Sequence, residues 1–358
     1  MKEPASSFQR NTWRRLRKNK GAVFGMLVIS VAVLVAATAY WIAPDHSPDA
    51  NRMILEIGGK KPGYTQQFMV VKKERTASSH SFLSRFVSGT EDDYNYIPIQ
   101  GFEKKKDSII IQQYIDEDVK ERVAFPDRLP YQIETKTFPL GTDQYGRDIL
   151  SRLLIGVRVS LSVGLITVII SLSLGVLLGS LAGYYRGRVD EIIMWIINII
   201  WSIPTLLLVF AITFMLGKGF WQIFSAIGLI MWVNVARIIR GQVLSVRELE
   251  YVEAARALGY SNFRIITRHI LPNVMGPVLV VAASNFASAI VIEAGLSFLG
   301  VGVQPPQPSW GLMIKENYNF IITHNPMPAL APGIAIMILV LAFNLLGNGL
   351  RDALNVRG

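Results

Sequence analysis

The chain contains no cysteine and little charge. The absence of cysteine excludes disulfides, thiolate catalysis and cysteine-ligated metals. Charged residues make up 17% of the 358 residues, whereas a soluble domain usually has about 25%. The charges that are present lie between long uncharged stretches, a pattern typical of membrane spans. We therefore expect an all-α polytopic membrane protein.

Six uncharged stretches are long enough to cross a bilayer, because a helix rises about 1.5 Å per residue and the hydrocarbon core is about 30 Å thick. The predicted spans are 21–43, 159–185, 192–217, 219–236, 273–292 and 329–350. The first is too long for an ordinary signal-peptide core, and we expect it to be retained. Pro204 is expected to kink the third.

Lysine and arginine in the short loops predict the orientation. Basic residues precede the first span and follow the second, fourth and sixth, while the opposite side has only Lys218 and Lys315 in its two shorter loops. By the positive-inside rule both termini are cytoplasmic. These flanks also account for the net charge of +10, so no nucleic-acid partner is expected. The arginine-rich segment around Trp13 and Leu16 is either a helix on the membrane surface or a flank that only sets topology.

Residues 44–140 are expected to form an extracytoplasmic insertion between the first two membrane helices. Residues 68–71 and 109–111 are short apolar runs typical of strands, and Gly58-Gly59 and Pro62-Gly63 indicate turns. We predict a small β-rich cap. It is either a decoration or a contact for a substrate-delivery protein.

The spans lack the groups that several membrane functions require. None contains histidine or aspartate, and Glu293 follows the end of the fifth. This disfavours a proton-coupled carrier and an intramembrane hydrolase. The chain also lacks a Gly-x-x-x-x-Gly-Lys-Ser/Thr loop, so it is not expected to hydrolyse nucleotides itself. Polar residues within the spans either line a translocation path or bond helix to helix; they are Asn198, Ser202, Asn234, Asn285, Asn344 and Asn348.

Small residues recur every four positions in the second span. Ser171, Gly175, Gly179 and Gly183 lie on one helix face. Such a stripe lets two helix backbones approach closely in lipid. It predicts a tight helix contact, which is either static or moves during function.

A long polar connector, residues 237–272, follows the fourth span, and the motif-bearing part of it is 247–272. Residues 247–258 favour a helix, with Tyr251, Ala254, Ala255 and Leu258 on one face. Gly259 stands where a left-handed C-terminal cap is expected. A second helix is predicted to begin at Ser261 or Asn262 and to end at Pro272.

Here the residues resemble a known family. Glu253-Ala254-Ala255, Gly259 and Leu271-Pro272 are similar in type and spacing to the EAA loop of ABC-importer permeases. The string RHILPN at 268–273, with His269 in place of the common apolar residue, resembles the dipeptide/oligopeptide/nickel branch. GTDQYGRD at 141–148 resembles the segment before the permease core of that branch, and EAGLSFLGVG at 293–302, with PP at 305–306 and PSWG at 308–311, resembles its last external loop. The resemblance covers 138–358 closely and 8–43 loosely.

The resemblance implies a fold, partners and a role. The fold would be six helices of the type I ABC importer permease kind, divided into 1–43, 44–140 and 141–358. The partners would be a second homologous permease, two ABC ATPase subunits that hold ATP and magnesium, an extracytoplasmic substrate-binding protein and the lipid bilayer. No cofactor or metal is expected in this chain. The cargo would be di- or oligopeptides, or alternatively nickel complexes or another small molecule. An intramembrane hydrolase and a structural membrane protein are the rivals from other classes.

The resemblance also implies the site. ATPase coupling would rest on Glu253, Ala254, Ala255, Leu258, Gly259, Leu271 and Pro272. The candidate path residues are Asn198, Ser202, Asn234, Asn285 and Asn344.

Overall fold

The computed structural model describes residues 5–73, 86, 89–105, 108–116, 119–126, 130–217, 219–322 and 325–354. Lys218, used above for the orientation, lies outside the described residues. The chain forms two compact units. The first unit consists of Met1–Ala32, Ser160–Gln304 and Ile336–Gly358, and the second of Val33–Val159 and Pro305–Ala335. The expected division into 1–43, 44–140 and 141–358 concerns membrane topology and stays a prediction.

Helices account for most of the described chain. They are α1 Ala5–Lys18, α2 Lys20–Ile42, α3 Ile149–Tyr185, α4 Gly187–Ser202, α5 Thr205–Leu216, α6 Phe220–Arg247, α7 Glu250–Ala257, α8 Asn262–Ile265, α9 Leu271–Phe298, α10 Trp310–Asn317 and α11 Met327–Leu354. A π turn, Ile266–Ile270, joins α8 to α9. Among the described residues, five helical stretches are long and apolar enough to cross a membrane: α2, α3, α6, α8 to α9, and α11.

The third predicted span is broken. Helices α4 and α5 meet at 98°, and the pair adds a sixth span only if it is counted as one. Proline disfavours helical backbone in the residue before it, and Ile203 is extended, with φ −100° and ψ 131°. The expected kink at Pro204 is therefore a complete break. The described chain supports five spans, or six with the bent pair.

A five-stranded antiparallel sheet confirms the β-rich insertion. Its strands are β1 Tyr64–Lys72, β2 Tyr94–Lys105, β3 Ser108–Asp116, β4 Val119–Pro126 and β5 Tyr131–Phe138, in the order β4-β3-β2-β1-β5. Side chains alternate between faces along a strand. Accordingly Phe68 and Val70 pack with Ile54 and Ile57, whereas Met69 belongs to a separate buried cluster.

The small-residue stripe of α3 packs against α6. A Cβ atom on Gly179 would stand 2.5 Å from the carbonyl oxygen of Ala236. At Gly175 it would stand 2.9 Å from the Trp232 carbonyl oxygen, and one turn further along, at Gly183, 2.9 Å from that of Arg240. The two backbones are thus in contact over successive turns, which confirms the close approach predicted from the spacing.

Candidate functional site

The connector predicted at 237–272 is shorter than the sequence indicates, and we call its part at 247–272 the loop segment. Helix α6 continues to Arg247, well past the predicted end of the fourth span at residue 236. The helix predicted over 247–258 is present as α7 from Glu250 to Ala257, because Leu249 is extended and separates it from α6. The polar residues after 236 therefore extend α6 instead of starting a loop.

Gly259 ends α7 as predicted. Its φ is +75°, in the left-handed region that favours glycine. The Tyr260 N–H donates to the Ala255 carbonyl at 3.2 Å, and the Gly259 N–H donates to that of Arg256 at 3.0 Å. These two bonds make a Schellman cap. The bend between α7 and α8 is thus built by hydrogen bonds around one glycine.

Alanine at Gly259 is expected to loosen this cap. A Cβ atom added here would have no other atom within 4 Å, so the cost comes only from the left-handed backbone, about 1 kcal/mol. Amide hydrogen exchange at the end of α7 should then rise roughly fivefold. In Gly259→Asn the exchange rate should rise less, because asparagine tolerates the left-handed conformation. Equal exchange in Gly259→Ala and the unmodified chain would contradict the cap.

The second predicted helix begins where expected. Ser261 caps α8, since its Oγ accepts from the Arg264 N–H at 3.4 Å. The predicted end at Pro272 is wrong, because the chain passes through the π turn and continues as α9 to Phe298.

The helix that leads to Pro272 widens into the π turn. The Leu271 N–H donates to the carbonyl of Ile266, five residues back. Two side chains also donate to the His269 carbonyl, Asn273 through Nδ2 at 2.6 Å and Tyr251 through its hydroxyl at 3.3 Å. These two bonds tie the π turn to α7 and to the first turn of α9.

The loop segment has one buried and one exposed side. Val252, Ala255, Ile265, Ile266 and Ile270 belong to a buried cluster with side chains of α6 and α9. Glu253, Ala254, Leu258, Gly259 and Pro272 are exposed, and Leu271 is half-buried. Ala255, predicted as a partner contact, is only 3% exposed. Its small side chain lets α7 pack closely against this buried cluster.

Phe263 is an exposed residue that the sequence reasoning missed. Its side chain is 78% exposed, and that of Leu258 is 72% exposed. The signal available in the sequence was a large apolar residue, Phe263, that follows a predicted helix cap within a polar segment. Exposed apolar side chains on a well-packed base are typical of a docking surface.

Polar contacts tie the loop segment to α3. The Tyr184 hydroxyl donates to Asn262 Oδ1 at 2.8 Å, and the Tyr184 carbonyl accepts from Arg247 Nη1 at 2.5 Å. Beyond α3, Arg240 of α6 forms a two-pronged pair with Asp190 of α4 at 2.5 and 2.6 Å. Helices α3, α4, α6 and α8 are therefore linked at this end of the unit.

The candidate path residues differ in exposure: one is buried and four are exposed. Asn285 is buried, and its Nδ2 donates to Ser171 Oγ at 3.3 Å, so it bonds helix to helix. The others, Asn198, Ser202, Asn234 and Asn344, are exposed.

Asn198 and Trp201 lie near an arginine on α6. Asn198 Oδ1 accepts from Arg237 Nη2 at 3.3 Å, and the same guanidinium lies 3.5 Å from the centre of the Trp201 ring. The Ser202 hydroxyl donates to the Ile199 carbonyl at 2.7 Å. The side chain of Asn198 is thus engaged within the chain, although the residue is exposed.

The segment at 293–302 stabilises the end of α9. Glu293 is 1% exposed, and its Oε1 accepts from the Ser297 hydroxyl at 2.6 Å. Ser297 Oγ in turn accepts from the Val303 N–H at 3.1 Å. These bonds hold the chain that leaves α9 in a compact turn.

The segment at 141–148 contains a buried ionic cluster in the second unit. Arg147 Nε lies 2.6 Å from Asp143 Oδ2, and its Nη2 lies 2.6 Å from Glu316 Oε2. Arg152 Nη2 lies 3.5 Å from the same Glu316 oxygen. Both arginines are 1% exposed, so two buried cations face two carboxylates.

The sequence matches the models of two known protein families. Residues 175–357 match the model of the binding-protein-dependent transport system inner membrane component. Residues 7–56 match the N-terminal TM domain of oligopeptide transport permease C.

Several relatives are similar in sequence. The dipeptide transport system permease protein DppC of Lactococcus lactis subsp. cremoris is 31% identical over 355 residues, 99% of this chain and 92% of that protein. The glutathione transport system permease protein GsiD of Pectobacterium atrosepticum is 42% identical over 216 residues, 60% of this chain and 71% of that protein. The oligopeptide transport system permease protein OppC of Bacillus subtilis is 42% identical over 215 residues, with 60% and 70% covered. The chain belongs to the binding-protein-dependent transport system inner membrane component family, and it is a multi-pass ABC importer permease.

Proposed function

We propose that this permease carries short peptides inward across the cytoplasmic membrane by alternating access, driven by ABC ATPases that grip the exposed side of the loop segment. The observation that carries the coupling proposal is the two-sided loop segment. Glu253, Ala254, Leu258 and Phe263 are exposed, while Val252 anchors α7 in the core and Ile265 anchors α8. Similarity to permeases named for dipeptides, oligopeptides and glutathione supports the cargo class.

The proposed topology has six spans, with α4 and α5 together as the bent third. Both termini and the loop segment face the cytoplasm, and the insertion faces outward, as the basic flanks favour. The partners are a second homologous permease, two ATPase subunits that bind ATP and magnesium, and an extracytoplasmic substrate-binding protein. The exposed polar residues Asn198, Ser202, Asn234 and Asn344 are candidates for a path shared with the second permease.

The packing of the loop segment suits force transmission. Buried side chains of α7 and α8 contact α6 and α9, so both short helices are expected to move with the long ones. The hydrogen bond between Tyr184 and Asn262 adds α3 to this group. Because packed helices shift as units, displacement of the exposed side would be passed on to the spans.

Charge reversal at Glu253 and loss of the apolar contact at Leu258 test the coupling. In the reconstituted transporter, Glu253→Lys and Leu258→Ser should each lower uptake and substrate-stimulated ATP hydrolysis at least about tenfold, equivalent to 1.4 kcal/mol of docking free energy. Co-purification of the ATPase should weaken in parallel. Exposed side chains contribute little to the folding of the chain itself, so these losses would report weaker docking and not misfolding.

Glu121→Lys is the matched control, because it makes the same charge change on exposed strand β4. It should leave uptake, hydrolysis and co-purification unchanged. Full activity with normal ATPase recovery in both loop variants would refute coupling through this surface.

A further inference from the structure

Helix α1 leads directly into a membrane-spanning helix. Only Asn19 separates its last residue, Lys18, from Lys20 at the start of α2, which is long and apolar enough to cross a bilayer. Asn19 caps α2, because its Oδ1 accepts from the Ala22 N–H at 3.1 Å. The Asn19 N–H donates to the Leu16 carbonyl at 3.1 Å. The end of α1 is therefore held at the end of a span, within reach of the membrane surface.

One side of α1 is packed against the ends of two spans. The Leu16 side chain is 4% exposed and belongs to a buried cluster with Ala22 of α2 and Ala353 of α11. Close by, Asn19 Nδ2 donates to Asp352 Oδ2 at 3.2 Å, which links the same two helices. These contacts fix the direction in which the remaining sides of α1 point.

The remaining sides of α1 are basic. Arg14, Arg15, Arg17 and Lys18 are exposed, and none of them has an ion-pair partner among the described residues. The helix contains no acidic residue, and Arg351 at the end of α11 is a further exposed cation. A cluster of cations without acids attracts an anionic surface over a distance of about 8–10 Å at ordinary ionic strength.

An exposed tryptophan lies beside these cations. The Trp13 side chain is 48% exposed, and the Arg17 guanidinium lies 4.9 Å from the centre of its ring. Tryptophan is enriched at membrane–water interfaces, where its ring contacts both the apolar layer and the headgroups. A helix that combines basic residues with tryptophan is typical of helices in the plane of the interface. A flank that only sets topology requires the charges but gives no reason for an exposed tryptophan among them.

We propose that α1 binds the headgroups of anionic phospholipids through Arg14, Arg15, Arg17 and Lys18, while the Trp13 ring enters the apolar layer beneath them. A guanidinium group can donate two parallel hydrogen bonds to one phosphate, and such charge-assisted bonds are the stronger kind in proteins. RNA has the same complementary charge. The direct connection to a span and the exposed tryptophan favour lipid, because both bring the basic sides of α1 to the bilayer.

Lipid titration of the purified full chain tests the charge. In neutral detergent, the unmodified chain should bind fluorescent phosphatidylglycerol at least tenfold more tightly than phosphatidylcholine with the same chains and label. Arg14→Gln with Lys18→Gln should lower this preference at least about fivefold, the factor expected for one cation at an anionic surface. Lys120→Gln with Arg122→Gln, on exposed strand β4, is the matched control and should keep the preference.

A spin label tests the position of α1 independently of any charge change. Because the chain contains no cysteine, Trp13→Cys gives a single labelling site. In nanodiscs that contain phosphatidylglycerol, a nitroxide at this site should be more accessible to oxygen, which concentrates in the apolar layer, than to a water-soluble nickel complex. Lys120→Cys, on exposed β4, is the matched control and should show the opposite order.

Three results would each overturn lipid binding by α1. They are equal affinity of the unmodified chain for the two lipids, an unchanged preference in the Arg14 and Lys18 double variant, and a label at residue 13 that behaves like the one at residue 120. An RNA oligonucleotide that binds α1 more tightly than phosphatidylglycerol would assign its basic sides to nucleic acid instead. These measurements need neither cargo nor ATPase, so failure of lipid binding is distinguishable from failure of the proposed transport function.

Discussion

Gly179→Leu is expected to prevent recovery of folded protein, and Gly179→Ala to lower its melting temperature by several degrees. A Cβ atom at this position would stand 2.5 Å from the Ala236 carbonyl oxygen and 2.9 Å from the Ala236 Cα. Backbone atoms cannot rotate away as a side chain does. The same helix contact is fixed one turn away on each side by Gly175 and Gly183, so α3 cannot withdraw locally. Overpacking of this kind costs about 1–3 kcal/mol, and more for the larger side chain.

The direction in which Gly179→Ala shifts the melting temperature tests the backbone contact. Alanine is about 1 kcal/mol more favourable than glycine inside a helix, so the unhindered expectation is stabilisation. Gly241→Ala is the matched control, because Gly241 lies within α6 and nothing is within 4 Å of its Cβ position. Thermal unfolding in detergent should show opposite shifts for the two alanine variants. A Gly179→Ala melting temperature at or above that of Gly241→Ala would contradict the backbone contact.

Glu316→Gln is expected to lower the free energy of unfolding by roughly 3 kcal/mol, the lower end of the cost of breaking a buried ion pair. Glu316 Oε2 lies 2.6 Å from Arg147 Nη2 and 3.5 Å from Arg152 Nη2. Glutamine keeps the shape and one oxygen but removes the charge. Two buried guanidiniums would then face the single carboxylate of Asp143. Thermal unfolding of the purified chain measures the loss.

Restoring the charge balance should recover part of this loss. In the double variant Glu316→Gln with Arg152→Leu, one buried cation faces one carboxylate again. Two of the Arg152 nitrogens, Nη1 and Nη2, have no hydrogen-bond partner among the described residues, so leucine gives up few bonds. The double variant should unfold at a higher temperature than Glu316→Gln alone. Glu121→Gln, exposed on β4, should change nothing. Additive losses in the double variant would show that charge balance is not the cause.

Local backbone rules explain which loop features were predictable. Gly259 was predicted because a left-handed cap favours glycine, and its φ of +75° agrees. Ser261 was predicted as a cap for a similarly local reason. Pro272 misled the prediction, because the chain passes through the π turn and continues beyond the proline as α9. The hydrogen bond from Tyr251 to the His269 carbonyl comes from a residue distant in sequence, so no local pattern predicts it.

The sequence by itself determined five of the apolar spans, the strands β1 and β3 of the insertion, the small-residue stripe and the glycine bend. Each depends on chain-local preferences: hydrophobic length, side-chain periodicity and the steric freedom of glycine. Only the tertiary structure decided that Ala254 is exposed and its neighbour Ala255 is buried, because that depends on which side of α7 meets α6 and α9. It alone also placed Glu316 against Arg147. Charges far apart in the chain meet through packing, and their spacing in the sequence carries no signal of it.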